Sequence, residues 1–173
     1  MAGSKQRLKI EDILELYATG VRDFTSYEIV IIDGGYVDLS NVNFSGLNLN
    51  DAYLEGANLS GANLSGAFMD SVCLDVANLS GANLSSATIT NASLIRINLA
   101  NANLTNACLR HSFISDSDLT NVCLNGANIE RALICHNNLT NTTLRGINLD
   151  SARGFARNIF NNTVMPDGSI RNG

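Results

Sequence analysis

The chain has 173 residues, 45% of them hydrophobic but only 16% charged, with 6% aromatic, one proline and no tryptophan; an average globular protein carries roughly 25% charged residues, so an ordinary mixed core is not expected. A net charge of -5 and a pI near 4.8 argue against the clustered Lys and Arg that phosphate binding needs, so no direct nucleic-acid partner is expected. No apolar run approaches the roughly 18 residues of a membrane span, and Met1 to Gly20 lacks the apolar stretch of a secretion signal, so the expectation is a cytoplasmic chain with no membrane contact.

In chain order, Ile10, Ile13, Leu14 and Tyr17 recur at helical spacing, and Gly20 stands where a helix C-cap belongs. The spacing predicts a helix over 9–19. From residue 39 the pattern changes to a period of five, seen plainly in the ANLSG runs at 57–61, 62–66 and 77–81. Every fifth position from Leu39 to Leu149, 23 in all, is large and apolar. Calling this position i, the residue at i-2 is almost always small or apolar (Ala52, Ala57, Ala62, Ala67, Val72), and i-1, i+1 and i+2 are mostly Asn, Ser, Thr, Asp or Gly.

Five matches neither the 3.6-residue helical period nor the two-residue strand period. It does match a short extended segment followed by a turn. In such a segment i-2 and i share the inner face, i-1 and i+1 point outward, and i+2, rich in Gly46, Gly56, Gly61, Asn101 and Asn121, makes the corner. The chain must wind into an all-β solenoid. Leucine-rich repeats, with units of about 20–29 residues and unequal leucine spacing, do not match uninterrupted fives. The phase reaches back through Phe24 and Ile29 and fails at Gly34, which predicts a distorted first coil over 24–38.

The repeat resembles that of the pentapeptide-repeat family, whose motif reads roughly A(D/N)LXX, over residues 37–151. The lead-in YATGVRDF is similar to that of many cyanobacterial members. The resemblance implies a right-handed quadrilateral β-helix with four pentapeptides per coil; the period alone gives a corner every five residues, not the number of sides. Residues 1–36 are then an N-terminal α-helical cap with the distorted coil, 37–151 the β-helix, and 152–173 a C-terminal cap and tail. Solenoid ends expose an apolar cross-section and need lids. Phe155, Ile159, Phe160, Val164 and Met165 are expected to cover the C-terminal end, with a turn at Pro166, Asp167 and Gly168. The molecule is expected to be a monomer, or a dimer through an end cap.

Catalytic chemistry finds little support. His111, His136 and the four cysteines Cys73, Cys108, Cys123 and Cys135 are the residue types that bind zinc, but at twenty residues per coil the histidines fall at different corners and no two cysteines share a column. No metal, cofactor or catalytic residue is expected, and the cysteines are expected to be free thiols. The sequons at Asn58, Asn63, Asn78 and Asn103 are by-products of the repeat.

Counting by twenty sorts the outward residues into four unequal columns. The sides built on Leu39 and Phe44 carry mainly Asn, Ser, Thr and Gly. The side built on Leu54 carries Tyr53, Phe113, Leu133 and Ile95, and its neighbour built on Leu49 carries Phe68, Arg110 and Arg131, with Arg96 in the later coils of the same two sides. An apolar strip on the outside of a rod marks a contact surface. These eight residues are the candidate interaction face. Asp51, Glu55, Asp70 and Asp75 make its N-terminal half acidic, against Arg96, Arg110 and Arg131 later. The expected function is a non-catalytic scaffold that binds another protein. The alternative, implied by the family resemblance, is a DNA mimic that inhibits or protects DNA gyrase; it requires a strongly acidic rod, whereas four arginines (Arg96, Arg110, Arg131, Arg145) offset the repeat's acids here. One departure from the motif is internal: Ser117 and Asn137 occupy neighbouring i-2 positions, which predicts a polar plug with Asn137 hydrogen-bonded inside the coil.

Overall fold

The computed structural model describes residues 6–8, 10–21, 27–29 and 37–173. Along the repeat, parallel bridges join the i-1 residue of each repeat to the one twenty positions on, from Asp38↔Asn58 and Asn43↔Asn63 to Cys123↔Thr143. Twenty residues therefore close one coil of four sides, and the fold is a right-handed quadrilateral β-helix. The i side chains fill its axis: Leu59, Leu64, Met69, Leu74 and Ile89 are fully buried, as are Ala57, Ala62 and Ala67 at i-2. Each buried i residue contributes about 1.5–3 kcal/mol of transfer free energy, so a core with few aromatics still accumulates by repetition.

The corners follow from the same register. At a typical corner the N–H of i-2 donates to the carbonyl of the preceding i residue, as Ala62 does to Leu59 at 3.1 Å. The residue just before it turns left-handed, and all 22 such positions from Asn41 to Gly146 have φ between 54 and 71°. Asn, Asp and Gly tolerate that region, which is why they dominate the position. Val76, β-branched at φ 62°, does so under strain.

Two structures close the ends. The helix α1 (Ile10–Ala18) stops as the sequence predicts: the N–H of Gly20, at φ 99°, donates to Tyr17 O and that of Val21 to Leu16 O, a Schellman cap. Ile13 is buried in the core, and Tyr17 stands edge-on to Phe44 at 5.3 Å. Strand β1 (Gln6–Leu8) pairs in parallel with β2 (Tyr27–Ile29). The rest of the distorted first coil predicted over 24–38 lies outside the described residues, apart from residues 37 and 38.

At the C-terminal end the ladder runs on beyond residue 151, where the sequence reading placed the cap. A 3-10 turn at Leu149–Ser151 takes up one extra residue, and pairing resumes twenty-one apart as Asn138↔Ile159 and Thr143↔Val164. The inserted residue re-phases the core. Phe155 and Phe160 become i residues, whereas Ile159, expected as cover, takes an i-1 position and is 63% exposed. A hairpin of β7 (Thr163–Val164) and β8 (Ile170–Arg171) closes the end around the expected turn, with Arg171 lying 3.8 Å over the Phe160 ring.

Candidate functional site

The four sides differ in how their outward residues are satisfied. On the Leu39 and Phe44 sides the i-1 asparagine accepts from the i+1 N–H, as Asn78 does from Ser80 at 3.1 Å, and donates to the coil below, as Asn63 does to Asn43 at 3.0 Å. These side chains spend their hydrogen bonds on the rod itself. Such ladders leave little for a partner.

The Leu54 side departs from this pattern. From the third coil its i-1 residues are Ser93, Phe113, Leu133 and Gly154, none of which holds the i+1 N–H in an Asx turn. Here the backbone itself lengthens into three-residue strands, β3 (Ser93–Ile95), β4 (Phe113–Ser115), β5 (Leu133–Cys135) and β6 (Gly154–Ala156), which form one parallel sheet. Its surface is a flat patch framed by the rod.

The corner after this side opens as the strands lengthen. In the first two coils Ala57 and Ala77 close it on Leu54 and Leu74 at 3.1 and 3.0 Å. In the next three, the i-2 side chain of the following coil spans the open corner. Ser117 accepts from Ile97 N–H, and its one hydroxyl proton has Ser115 O at 2.7 Å and Leu94 O at 3.2 Å to donate to; Asn137 accepts from Ser117 N–H at 3.0 Å and donates to Ile114 O at 2.9 Å; Asn158 accepts from Asn137 N–H and donates to Ile134 O. Asn137 is fully buried, inside the coil as its position predicts.

The candidate face residues divide by position. Tyr53, Phe113 and Leu133 fall in one column with Cys73 and Ser93 between them, and Tyr53 and Phe113 are 45% and 43% exposed. Ile95 lies on the same side, half-buried. Phe68, 51% exposed, is on the adjacent Leu49 side, where Arg110 pairs with Glu130 at 3.2 Å. Arg131 stands at the corner between the two sides and Arg96 at the opposite edge, both exposed. The side-chain charges at the acidic end are internally engaged. Tyr53 donates to Glu55, which pushes the phenol up to about 12, and hydrogen bonds from Thr90 and Asn91 hold the Asp70 carboxyl below its usual range.

The extra residue at the C-terminal end makes a feature the sequence reading did not locate. A groove of about 440 Å³ opens at the corner beside β5 and β6, lined by Phe113, Leu133, His111, Arg131, Ser151 and Arg153. The Leu133 side chain fills the space over Gly154, its Cδ1 2.8 Å from where a Cβ would stand, so only glycine fits there without a shift. Neither Arg131 nor Arg153 forms an ion pair among the described residues.

The profile of pentapeptide repeats matches residues 38–75, 77–116 and 114–150 in eight copies. The chain belongs to the pentapeptide-repeat family. A pentapeptide repeat protein of Nostoc PCC 7120 is 33% identical over 62% of this chain and 84% of its own, with a TM-score of 0.52. HetL, a pentapeptide repeat protein of Nostoc sp. strain PCC 7120 involved in heterocyst differentiation regulation, is 22% identical over 95% of this chain and 100% of its own, TM-score 0.38. A third, from the Arabidopsis thaliana thylakoid lumen, is 32% identical over 55% of this chain and 66% of its own, TM-score 0.29. No curated protein matches.

Against the pentapeptide-repeat motif, this chain departs most in the i-1 residues of the Leu54 side and in the i-2 column across the corner that follows it, Ser117, Asn137 and Asn158. Its four cysteines are free, and burial pushes the Cys73 thiol up. Among the described residues no cluster of three or more His, Cys, Asp or Glu is arranged to hold a metal, and no helix is long and apolar enough to cross a membrane.

Proposed function

We propose that this pentapeptide-repeat protein is a non-catalytic, cytoplasmic interaction rod that docks another protein on its Leu54 side, through the column of Tyr53, Phe113 and Leu133 with Phe68, Ile95, Arg96, Arg110 and Arg131 around it. The observation that carries this reading is the contrast between sides. Two sides present Asn and Ser whose hydrogen bonds are returned to the rod, whereas this one presents the exposed rings of Tyr53 and, on the β3–β6 sheet, of Phe113. Exposed rings and arginines around a flat core are the side chains that dominate interface energetics.

The test is affinity capture from the native cell with the wild-type chain, with Tyr53→Asn, Phe113→Ser, Leu133→Asn combined, and with Asn58→Ser, Asn78→Ser, Asn98→Ser combined as the control on the ladder side. The first set should lose the captured partner while keeping the β-helix circular dichroism spectrum. The control set should retain it. Equal loss from both removes the case for a dedicated face. A gyrase supercoiling assay separates the DNA-mimic alternative: the rod proposed here leaves supercoiling unchanged.

A further inference from the structure

Each coil gives its free backbone groups to the next one. On the Leu54 side the N–H of the i residue donates to the i-1 carbonyl one coil on, as Leu74 does to Ser93 at 2.9 Å, and that of i+2 donates to the i+1 carbonyl, as Arg96 does to Ser115 at 2.9 Å and His136 to Ala156 at 3.3 Å. β6 is the last strand of this sheet and pairs with β5 alone. The hairpin and the tail after it lie over the Leu39 and Phe44 sides: Val164 pairs with Ile170, the Asn172 side chain accepts from Asn162 N–H, and Gly173 N–H donates to Phe160 O. Among the described residues the N–H groups of Phe155 and Arg157 therefore have no acceptor, and the outer edge of β6 is unpaired. We infer that this edge docks an extended segment of another protein, with a large apolar residue between acidic ones, which adds to β6 as the next strand of the sheet.

The chemistry of the occupant follows from what the edge offers. Open strand groups pair with any extended backbone, so selection falls to the side chains. Beneath the edge runs the interior column of Leu94, Ile114, Ile134 and Phe155; the first three are buried under the coil that follows each of them, whereas Phe155 is only half-buried. An apolar residue stacked on Phe155 continues that column. Arg153 and Arg157 bracket the strand, both exposed and neither in an ion pair or a side-chain hydrogen bond among the described residues. One coil below them stand Arg131 and His136, and Glu130 is already held by Arg110 at 3.2 Å. The acids left nearby are Asp150, three residues before Arg153 and not paired with it, and Asp116, two coils below Arg157 in the same corner column. Both flanks of β6 are thus cationic, and carboxylates on either side of the apolar residue complement them. A three-residue edge supplies few hydrogen bonds, so association is weak and salt-dependent. The site lies at the end of the rod and uses none of the outward column of Tyr53, Phe113 and Leu133.

The experiment is fluorescence anisotropy of the labelled heptapeptide Asp-Glu-Thr-Leu-Thr-Glu-Asp titrated with the full chain up to about 1 mM. Its palindromic order presents the same side chains in a parallel or an antiparallel strand. Saturable binding that weakens with salt is expected. Arg153→Glu and Arg157→Glu combined, both exposed positions, should weaken it at least ~10-fold, the scale of losing one interface hot spot. Methylating the three central amide nitrogens of the peptide should do the same, because it removes strand pairing and leaves every charge in place. In proton–nitrogen correlation spectra the peptide should move the amide signals of Phe155 and Arg157. No binding at the highest concentration in low salt, undiminished binding of the methylated peptide, or signals that move at Phe113 and Leu133 instead, overturns the inference. So does a chain whose own dimer occupies the edge and excludes the peptide. The combined Tyr53→Asn, Phe113→Ser, Leu133→Asn variant should bind the peptide as the wild-type chain does, and loss of binding there also contradicts docking at the edge.

Discussion

Asn137 and Ser117, one coil apart, are joined side chain to backbone: the Asn137 carboxamide oxygen accepts from Ser117 N–H at 3.0 Å while its nitrogen donates to Ile114 O at 2.9 Å. In the earlier coils those two backbone groups would bond to each other across a closed corner, as Ala77 and Leu74 do. One side chain has taken the place of one turn. The corner can therefore widen and the strand on the Leu54 side can lengthen without leaving a buried donor or acceptor unmet. This links the polar interior to the flat exterior patch, because Ser117, Asn137 and Asn158 hold open the corners that border β3, β4 and β5.

Asn137→Ala is accordingly expected to be costly. The sequence alone suggests a modest effect, since Ala is the common residue at i-2. The hydrogen bonds revise that: removing the carboxamide strands Ser117 N–H and Ile114 O in the core, at about 1–3 kcal/mol each. Urea denaturation should show a loss of about 2–4 kcal/mol. A loss under ~0.5 kcal/mol would mean that the corner recloses as it does at Ala77.

Val76→Asn is expected to stabilise the rod. Val76 is 48% exposed, so little burial is forfeited, and its left-handed φ of 62° is unfavourable for a β-branched residue but tolerated by Asn. The gain should be about 1 kcal/mol. A lower denaturation midpoint would show that Val76 contributes packing that outweighs its strain.

Tyr53 supplies a pH prediction. Its folded-state value, about 12 against an ordinary 10, is raised first by the hydrogen bond to Glu55. A raised value means that the bond's contribution is fully present below pH 10 and is lost as pH rises through about 12. The difference in ultraviolet absorbance between the wild-type chain and Tyr53→Phe should place phenolate formation near pH 12, and Glu55→Gln should bring it back toward 10. Ionisation near pH 10 in the unmodified chain would show that the bond does not form in solution.

Much of the architecture is legible from residue spacing. The run from Leu39 to Leu149 shows which side chains go inward, the Gly and Asn at i+2 show where the chain turns, and Asn137 is identifiable as buried because its column is otherwise Ala, Ile and Ser. Phe155, Phe160 and Ile159 were not separable in this way. One inserted residue shifts the phase, and apolar residues after the shift look alike until pairing shows that Ile159 faces out. The candidate face was visible as a column of Tyr53, Phe113 and Leu133, but the groove beside it is bordered by a 3-10 turn that has no signature in a five-residue count. Likewise, that Ser117, Asn137 and Asn158 stitch three corners follows only from knowing which turns are open.

The claim at the centre of this account, that the rod meets its partner with the Leu54 side, is tested most directly by placing a photo-crosslinking amino acid in living cells at Phe113 and, separately, at Asn78 on the ladder side. A crosslinked species above the monomer mass is expected from position 113 and none from position 78. Equal crosslinking from both positions, or crosslinking from Asn78 alone, would contradict it.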